Sequence, residues 1–341
     1  MLRQIKIENY KSVVSQTLQL GLFNVVIGAN GCGKSNLLEA IALAGLSSSG
    51  ALLPELFESR GIRLSDSRFM RSAFDEVDRE YISVEVETAD GNTAQYKIHY
   101  NTRLKPAQWE DDNFLQVYNR QHVNGLKNFI IYSLEESALR SMDLMPSTVL
   151  GRTGKGLLPY LKKLSETPSG RQVLAEVKDN LQVIDWFEDL DMPESGLTQD
   201  STLRLKDRYI DETLDFFDQR SANEAFLYLL FYFTLFISDE TPSFFAIDNI
   251  ESSLNPKLCR LVIARLAELA AKHGKQVVLT THSPFVLDGL DEITDRKRLF
   301  VVSRNSDGYT VVNPIKENRS RTVPLSEAWL KGYIGGLPNN F

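Results

Sequence analysis

An apolar run, FNVVI at 23–27, ends at Gly28 and opens directly into GANGCGKS at 28–35. No other stretch narrows the choice of fold as far. These eight residues satisfy G-x-x-x-x-G-K-[ST] in full, and residues 34–46 that follow read as a helix closed by the small residues 47–50. Strand, glycine-rich loop and helix in that order make an anion cradle. Glycines at 28, 31 and 33 let the backbone curl so that successive N–H groups point inward, and the helix N-terminus adds its dipole. Lys34 is expected to reach the β and γ phosphates of ATP, and the Ser35 hydroxyl to bind Mg²⁺. Asn30, Gly31, Cys32 and Asn36 complete the set assigned to the nucleotide, with Cys32 as a small filler.

The rest of the chain supplies a setting for such a loop. Residues 2–7 (LRQIKI) alternate as a half-buried strand does, and 18–22 give a second short strand. Residues 81–87 and 95–100 alternate around Asp90-Gly91-Asn92, a hairpin signal. Residues 129–132 read as an apolar strand. From about 133 to 200 the pattern turns helical, interrupted by Pro146, Pro159, Pro168 and Pro193. A strand at 203–209 and an apolar helix at 223–237 follow. Beyond them, strand and helix alternate: strands at 243–247, 276–281, 298–302 and 309–312, helices at 256–272 and 284–290. That alternation predicts an α/β fold with a parallel sheet. No heptad run supports a long coiled coil.

Composition removes several classes. A net charge of −7 argues against a whole-surface basic field for nucleic acid, leaving local patches open. Two cysteines, Cys32 and Cys259, cannot frame a disulfide scaffold, which points to a reducing, cytoplasmic compartment. The opening residues lack a signal-peptide core, and the apolar stretch 225–237 falls short of the ~17 to 25 residues of a membrane span. The scattered histidines offer no zinc spacing.

Two further strand ends carry chemistry. FFAIDNIESSLNP at 244–256 puts Asp248 at the end of an apolar strand, where a carboxylate can hold the Mg²⁺ shell. VVLTTHSP at 277–284 ends another strand with His282, within reach of a γ phosphate or an attacking water.

Together, GANGCGKS, AIDNIESSLNP and TTHSP in this order resemble the ATPase head of ABC-type enzymes. With the opening IENYKSV, the resemblance is to the RecF, SMC and overcoming-lysogenization-defect (OLD) group. It spans residues 1–45 and roughly 220–312. It implies a P-loop NTPase head with an inserted helical lobe, Asp248 as the Walker B carboxylate, 253–256 as the D-loop and His282 as the switch histidine. Lys11 and Ser12 would lie near the nucleotide phosphates. The signature segment, which caps a partner's ATP in a head-to-tail dimer, falls on RSANEA at 220–225. There Ser221 either donates to a γ phosphate in trans or caps the helix, with Asn223 behind it.

Two departures stand out. The paired glycines of the signature are replaced by Ala222 and Asn223, and the usual catalytic glutamate by Asn249. An amide orients water but does not take its proton. Glu251 is the substitute base, and slow hydrolysis is expected.

The expected layout is an ATPase lobe at 1–133, a helical lobe at 134–220, and a signature, Walker B and histidine half at 221–341. The expected partners are a second copy across two ATP molecules, in a homodimer or higher homo-oligomer, and a separate effector protein. The resemblance suggests DNA repair or anti-phage defence. An ATP-gated module with little turnover and a transporter ATPase head are the other readings. Asp288, Asp291, Glu292 and Asp295 read as a solvated face rather than a nuclease centre, and too little chain follows for a TOPRIM domain. Arg296, Lys297, Arg298, Arg319 and Arg321 leave nucleic acid open as a partner.

Overall fold

Strand and helix follow one another much as the periodicity predicts. Strands β1 (Leu2–Tyr10), β2 (Val13–Gln19) and β3 (Phe23–Ile27) lead to helix α1 (Lys34–Ser48). Short helices α2 (Pro54–Ser59) and α3 (Ser67–Met70) precede β4 (Ile82–Thr88), β5 (Thr93–Asn101), β6 (Gln108–Asp111) and β7 (Ile131–Tyr132). Helices α4 (Glu136–Leu139), α5 (Leu157–Glu166) and α6 (Pro168–Leu181) are followed by β8 (Phe187–Asp191), β9 (Arg204–Asp207) and β10 (Phe217–Asp218). The last part holds α7 (Glu224–Ile237), β11 (Phe244–Ile247), α8 (Pro256–Lys272), β12 (Gln276–Thr281), β13 (Lys297–Arg304), β14 (Thr310–Ile315) and α9 (Leu325–Leu330). This computed structural model describes all residues except 51, 75–79, 105–106, 112–122, 124, 142–148, 193–201, 212, 214–215, 318–322 and 338–341.

The chain divides into two compact units. The first comprises Met1–Ile131, Pro242–Glu251 and Gln276–Phe341. It holds an antiparallel sheet, ordered β2-β1-β4-β5-β6, and a six-stranded sheet, ordered β14-β13-β3-β12-β11-β7. Helix α1 is buried nearly all round, packs against β1, β4 and β5 as well as β12, and joins both sheets in one core. That explains why it lacks an amphipathic stripe. In the six-stranded sheet β13, β3, β12 and β11 run parallel, with Ile27 opposite Thr281 and Leu279 opposite Ile247. Their C-terminal ends therefore share one edge. The predicted second strand at 18–22 begins earlier, at Val13, because Lys11 takes φ 46° and closes a tight turn that pairs Tyr10 with Val13.

The second unit comprises Tyr132–Thr241 and Ser252–Lys275. These cuts differ from boundaries at 133 and 220, since α7 packs on α6 and α8. The strand expected at 203–209 is β9, and it pairs with two strands that were not expected, β8 and β10, in a three-stranded sheet ordered β10-β9-β8. β8 and β10 are short and rich in polar residues, so period-two alternation gave no signal for them. Residues 284–290, expected as a helix, form 3-10 turns. Among the described residues, no helix is long and apolar enough to cross a membrane.

One buried cation staples the second unit. Lys275 is 2% exposed and its Nζ donates to Ser238 O at 2.7 Å, Thr241 O at 3.1 Å and Thr241 Oγ1 at 2.9 Å. Lys275→Met leaves these acceptors unpaired and should cost on the order of 2 kcal/mol in denaturant titrations at neutral pH. Burial pulls the Lys275 ammonium down to about 8. Between that value and the unfolded one, ~10.4, the unfolded chain binds the extra proton. Stability should therefore rise with pH in this window, by at most about 1.4 kcal/mol per unit. The Met variant should lose that rise.

Candidate nucleotide site

The phosphate loop leaves β3 at its C-terminal end and enters α1 without a side-chain cap, because Gly33 occupies the cap position at φ 108°. Gly31 also has positive φ, 76°. Gly28 sits so close to β13 that a Cβ there would lie 2.2 Å from Val302 O. Glycine is thus required at 28 by contact and at 31 and 33 by backbone angle. Lys34 is buried, and its Nζ donates to Gly28 O at 2.8 Å and Ala29 O at 3.0 Å. The ammonium is thereby held folded over the loop, where an arriving phosphate oxygen can replace carbonyls. Asn30 lies exposed in the turn, and Cys32 is buried, its thiol pushed up by desolvation.

Next to the loop stands the carboxylate expected from the second strand end. Ser35 Oγ donates to Asp248 Oδ2 at 3.0 Å, and Thr280 Oγ1 donates to the other oxygen, Oδ1. A hydroxyl and a carboxylate in contact fit a hard divalent cation such as Mg²⁺. Thr280 also receives the Asn249 N–H at 3.0 Å, and Asn249 adopts φ 55°. Asparagine tolerates this left-handed geometry better than most residues. Glu251 and His282 meet directly: Glu251 Oε1 accepts from the His282 backbone N–H at 2.9 Å and lies 2.7 Å from Nδ1. The carboxylate is 9% exposed and its Oε2 is buried without a hydrogen-bond partner. His282 itself is exposed over half its side chain, 53%.

Lys11 and Ser12 are beside the loop, in a cluster that sequence reasoning saw only in part. Lys11 Nζ donates to Glu39 Oε2 at 2.6 Å, and Glu39, 1% exposed, also holds Arg63 and the Tyr10 hydroxyl. Ser12 Oγ takes a hydrogen bond from Asn36 Nδ2 at 2.7 Å and lies 2.7 Å from Thr310 Oγ1. A cavity of about 480 Å³ is lined by Lys11, Ser12, Asn36, Arg63, Phe69 and Arg304 among others, with no carboxylate among the described residues of its wall. Arg63 and Arg304 are the residues the motifs missed. No spacing rule links either to residues 28–35, and an exposed arginine is by default a solubilising one. A larger hollow, about 770 Å³, lies on the second unit against α5 and α6 and holds none of the residues singled out above.

In the second unit, the helix α7 is capped by Asn223, whose Oδ1 accepts from Phe226 N at 2.8 Å. Ser221 is therefore not the cap. It is exposed, with its backbone N–H on Asp218. Arg319 and Arg321 lie outside the described residues. Asp288 receives Ser326 N and Oγ at 3.0 and 2.7 Å, so it caps α9. No cluster of three metal-ligating side chains occurs among the described residues.

A family described as "AAA domain, putative AbiEii toxin, Type IV TA system" matches residues 95–288, and one described as "AAA domain" matches residues 4–156. No curated protein matches the sequence. Among solved structures, an SMC head bound to the C-winged helix domain of ScpA superposes with a TM-score of 0.62 at 14% identity, over 92% of this chain and 97% of that one. An SMC head from Pyrococcus furiosus, with an extended coiled coil and bound to the C-terminal domain of ScpA, gives 0.56 at 12% over 98% of both chains. The SMC head domain of Thermotoga maritima gives 0.50 at 14%, over 92% and 99%. At such identities the likeness speaks for the fold, an α/β ATPase head with an inserted helical region. The first family profile covers more than half the chain, and the chain belongs to this AAA-domain family, with the ATP binding that membership implies.

Proposed function

We propose that the chain is a Mg²⁺-dependent ATPase that closes around ATP with a second copy of itself and so controls a separate effector protein. The observation that carries this reading is the join of Ser35, Asp248 and Thr280 beside Lys34. Lys34 and the loop N–H groups would bind the phosphates, and Ser35 with Asp248 would hold Mg²⁺, which offsets phosphate charge. Glu251 would take the proton of the attacking water through its unpartnered Oε2, while His282, oriented by Oε1, faces the γ phosphate. Asn249 orients water without accepting its proton, which favours slow turnover. The resemblance to the OLD group suggests a setting in DNA repair or anti-phage defence, and the family description names a putative toxin. Ser221, free of the capping task, is available to reach a nucleotide in trans.

A second reading has its own support. Asn249 at the usual glutamate position suits a module in which ATP binding alone gates the partner.

Phosphate release and native mass with and without ATP separate these readings. Lys34→Ala should abolish nucleotide binding. Glu251→Gln should keep binding and lose at least about 100-fold in turnover, the usual weight of a general base. Asn249→Glu should speed hydrolysis. ATP-dependent dimers without phosphate release would favour the gating module, whereas wild-type turnover in Glu251→Gln would remove Glu251 from the mechanism.

The signature segment makes a separable prediction. Asn223→Ala should cost about 1 kcal/mol of stability through the lost cap. Ser221→Ala should leave the unfolding midpoint unchanged and weaken the ATP-dependent dimer, as read by analytical ultracentrifugation.

A further inference from the structure

The C-terminal hairpin β13–β14 grips the phosphate loop at points that lie outside every motif. We propose that Thr310 and Arg304 are positioning residues for nucleotide binding, aiming loop N–H groups by holding the carbonyl side of the same peptide units. The proposal rests on the reading of residues 28–35 as the ATP cradle.

The donor directions can be assigned. Thr310 has one hydroxyl proton, and it goes to Cys32 O at 2.9 Å. In its 2.7 Å bond with Ser12, Thr310 must therefore accept and Ser12 donate. Ser12 Oγ then accepts from Asn36 Nδ2 at 2.7 Å, and Asn36 Oδ1 accepts from Arg63 at 3.0 Å. The chain runs one way, from Arg63 through Asn36, Ser12 and Thr310 to the loop carbonyl. Arg304 makes a second hold, with Nε on Gly31 O at 2.9 Å and Nη1 on Gly308 O at 2.8 Å, in its own hairpin turn. The Thr310 backbone N–H, bonded to Ser12 O at 2.8 Å, ties the hairpin to the β1–β2 turn.

A trans peptide unit is planar, so fixing Cys32 O fixes the Gly33 N–H pointing the opposite way. Fixing Gly31 O does the same for the Cys32 N–H, which here donates to Ala29 O at 3.4 Å, a long bond that a phosphate oxygen would replace. Glycines at positive φ leave these units free to rotate, and a rotated unit offers a carbonyl where the phosphate needs a donor. Thr310 also presses on the loop: a Cβ at Gly33 would lie 2.0 Å from its Oγ1. Thr310 and Ser12 are 0% and 5% exposed, so water does not replace the bonds they make.

Calorimetry with Mg-ATP, on folded protein well below its unfolding midpoint, tests the idea. Thr310→Val keeps the shape and removes the hydroxyl. It should raise Kd, and KM where turnover is measurable, on the order of tenfold, with kcat close to wild type. Thr310→Ser restores the hydroxyl and should stay within about threefold. Arg304→Ala should weaken binding about fivefold, and Arg304→Lys, lacking the two-armed guanidinium, should not restore it. If wild type and Lys34→Ala bind alike, the nucleotide reading itself is wrong. If Lys34→Ala loses binding while Thr310→Val and Arg304→Ala keep wild-type Kd, the clamp is refuted. A lowered unfolding midpoint at unchanged Kd refutes it as well.

Discussion

Parallel register is the constraint on which the site depends. Four strands running the same way, with Ile27 level with Thr281 and Ile247 level with Leu279, deliver their C-terminal ends to one edge. Each end carries one part of the candidate site: the glycine loop after β3, Asp248 after β11 and His282 after β12. A slip of one residue in a strand would reverse every side chain on it. Side-chain hydrogen bonds at the strand starts pin that register: Asn24 Nδ2 donates to Val277 O at 2.8 Å, and Gln276 Nε2 to Leu2 O and Gly21 O at 2.7 and 2.8 Å. Asp248 is then placed against Ser35 by the sheet itself, across 213 residues of sequence.

Electrostatics beside the phosphate loop are shaped by the buried Glu39 carboxylate. Glu39 lies one helical turn beyond Ser35 on α1 and is 1% exposed. Alone it would be costly to bury, but Lys11 and Arg63 both contact it, so the three charges sum to a cation facing the cavity. Burial, reinforced by the Glu39 charge, pushes the Tyr10 phenol well above its ordinary value, which keeps it a hydrogen-bond donor. The arrangement gives two cations a fixed place beside the loop while one anion screens their mutual repulsion. A polyanion such as a triphosphate meets positive charge that is already ordered.

How much of this was legible depends on how far apart the cooperating residues lie. The loop 28–35 is contiguous, so its residues, the helix behind it and the strand before it could all be read directly. Asp248 and His282 could be singled out because each ends an apolar run, a local signal for a strand edge. Arg63, Glu39, Thr310 and Arg304 have no such signal. Their roles arise from contacts between β1, α1 and the last hairpin, and exposed arginines and a strand threonine look ordinary in sequence. The cap of α7 could not be read for a related reason. RSANEA offers two good capping residues two positions apart, and only the geometry of Asp218 and Phe226 decides for Asn223.

The position after Asp248 shows why sequence and geometry have to be read together. Asn249 looks at first like a simple loss of the catalytic glutamate. In the fold it sits at φ 55°, with its N–H on Thr280, the same hydroxyl that orients Asp248. Thr280 thus serves both the carboxylate and the residue that follows, and holds the turn tightly enough to fix where Glu251 emerges. Glu251 then meets His282 through one oxygen and keeps the other buried and unpaired. An unpartnered carboxylate oxygen is costly unless something arrives to use it. Glu251, two residues beyond Asn249, is therefore placed by His282 just after β12 and by a turn that the Thr280 bonds hold rigid.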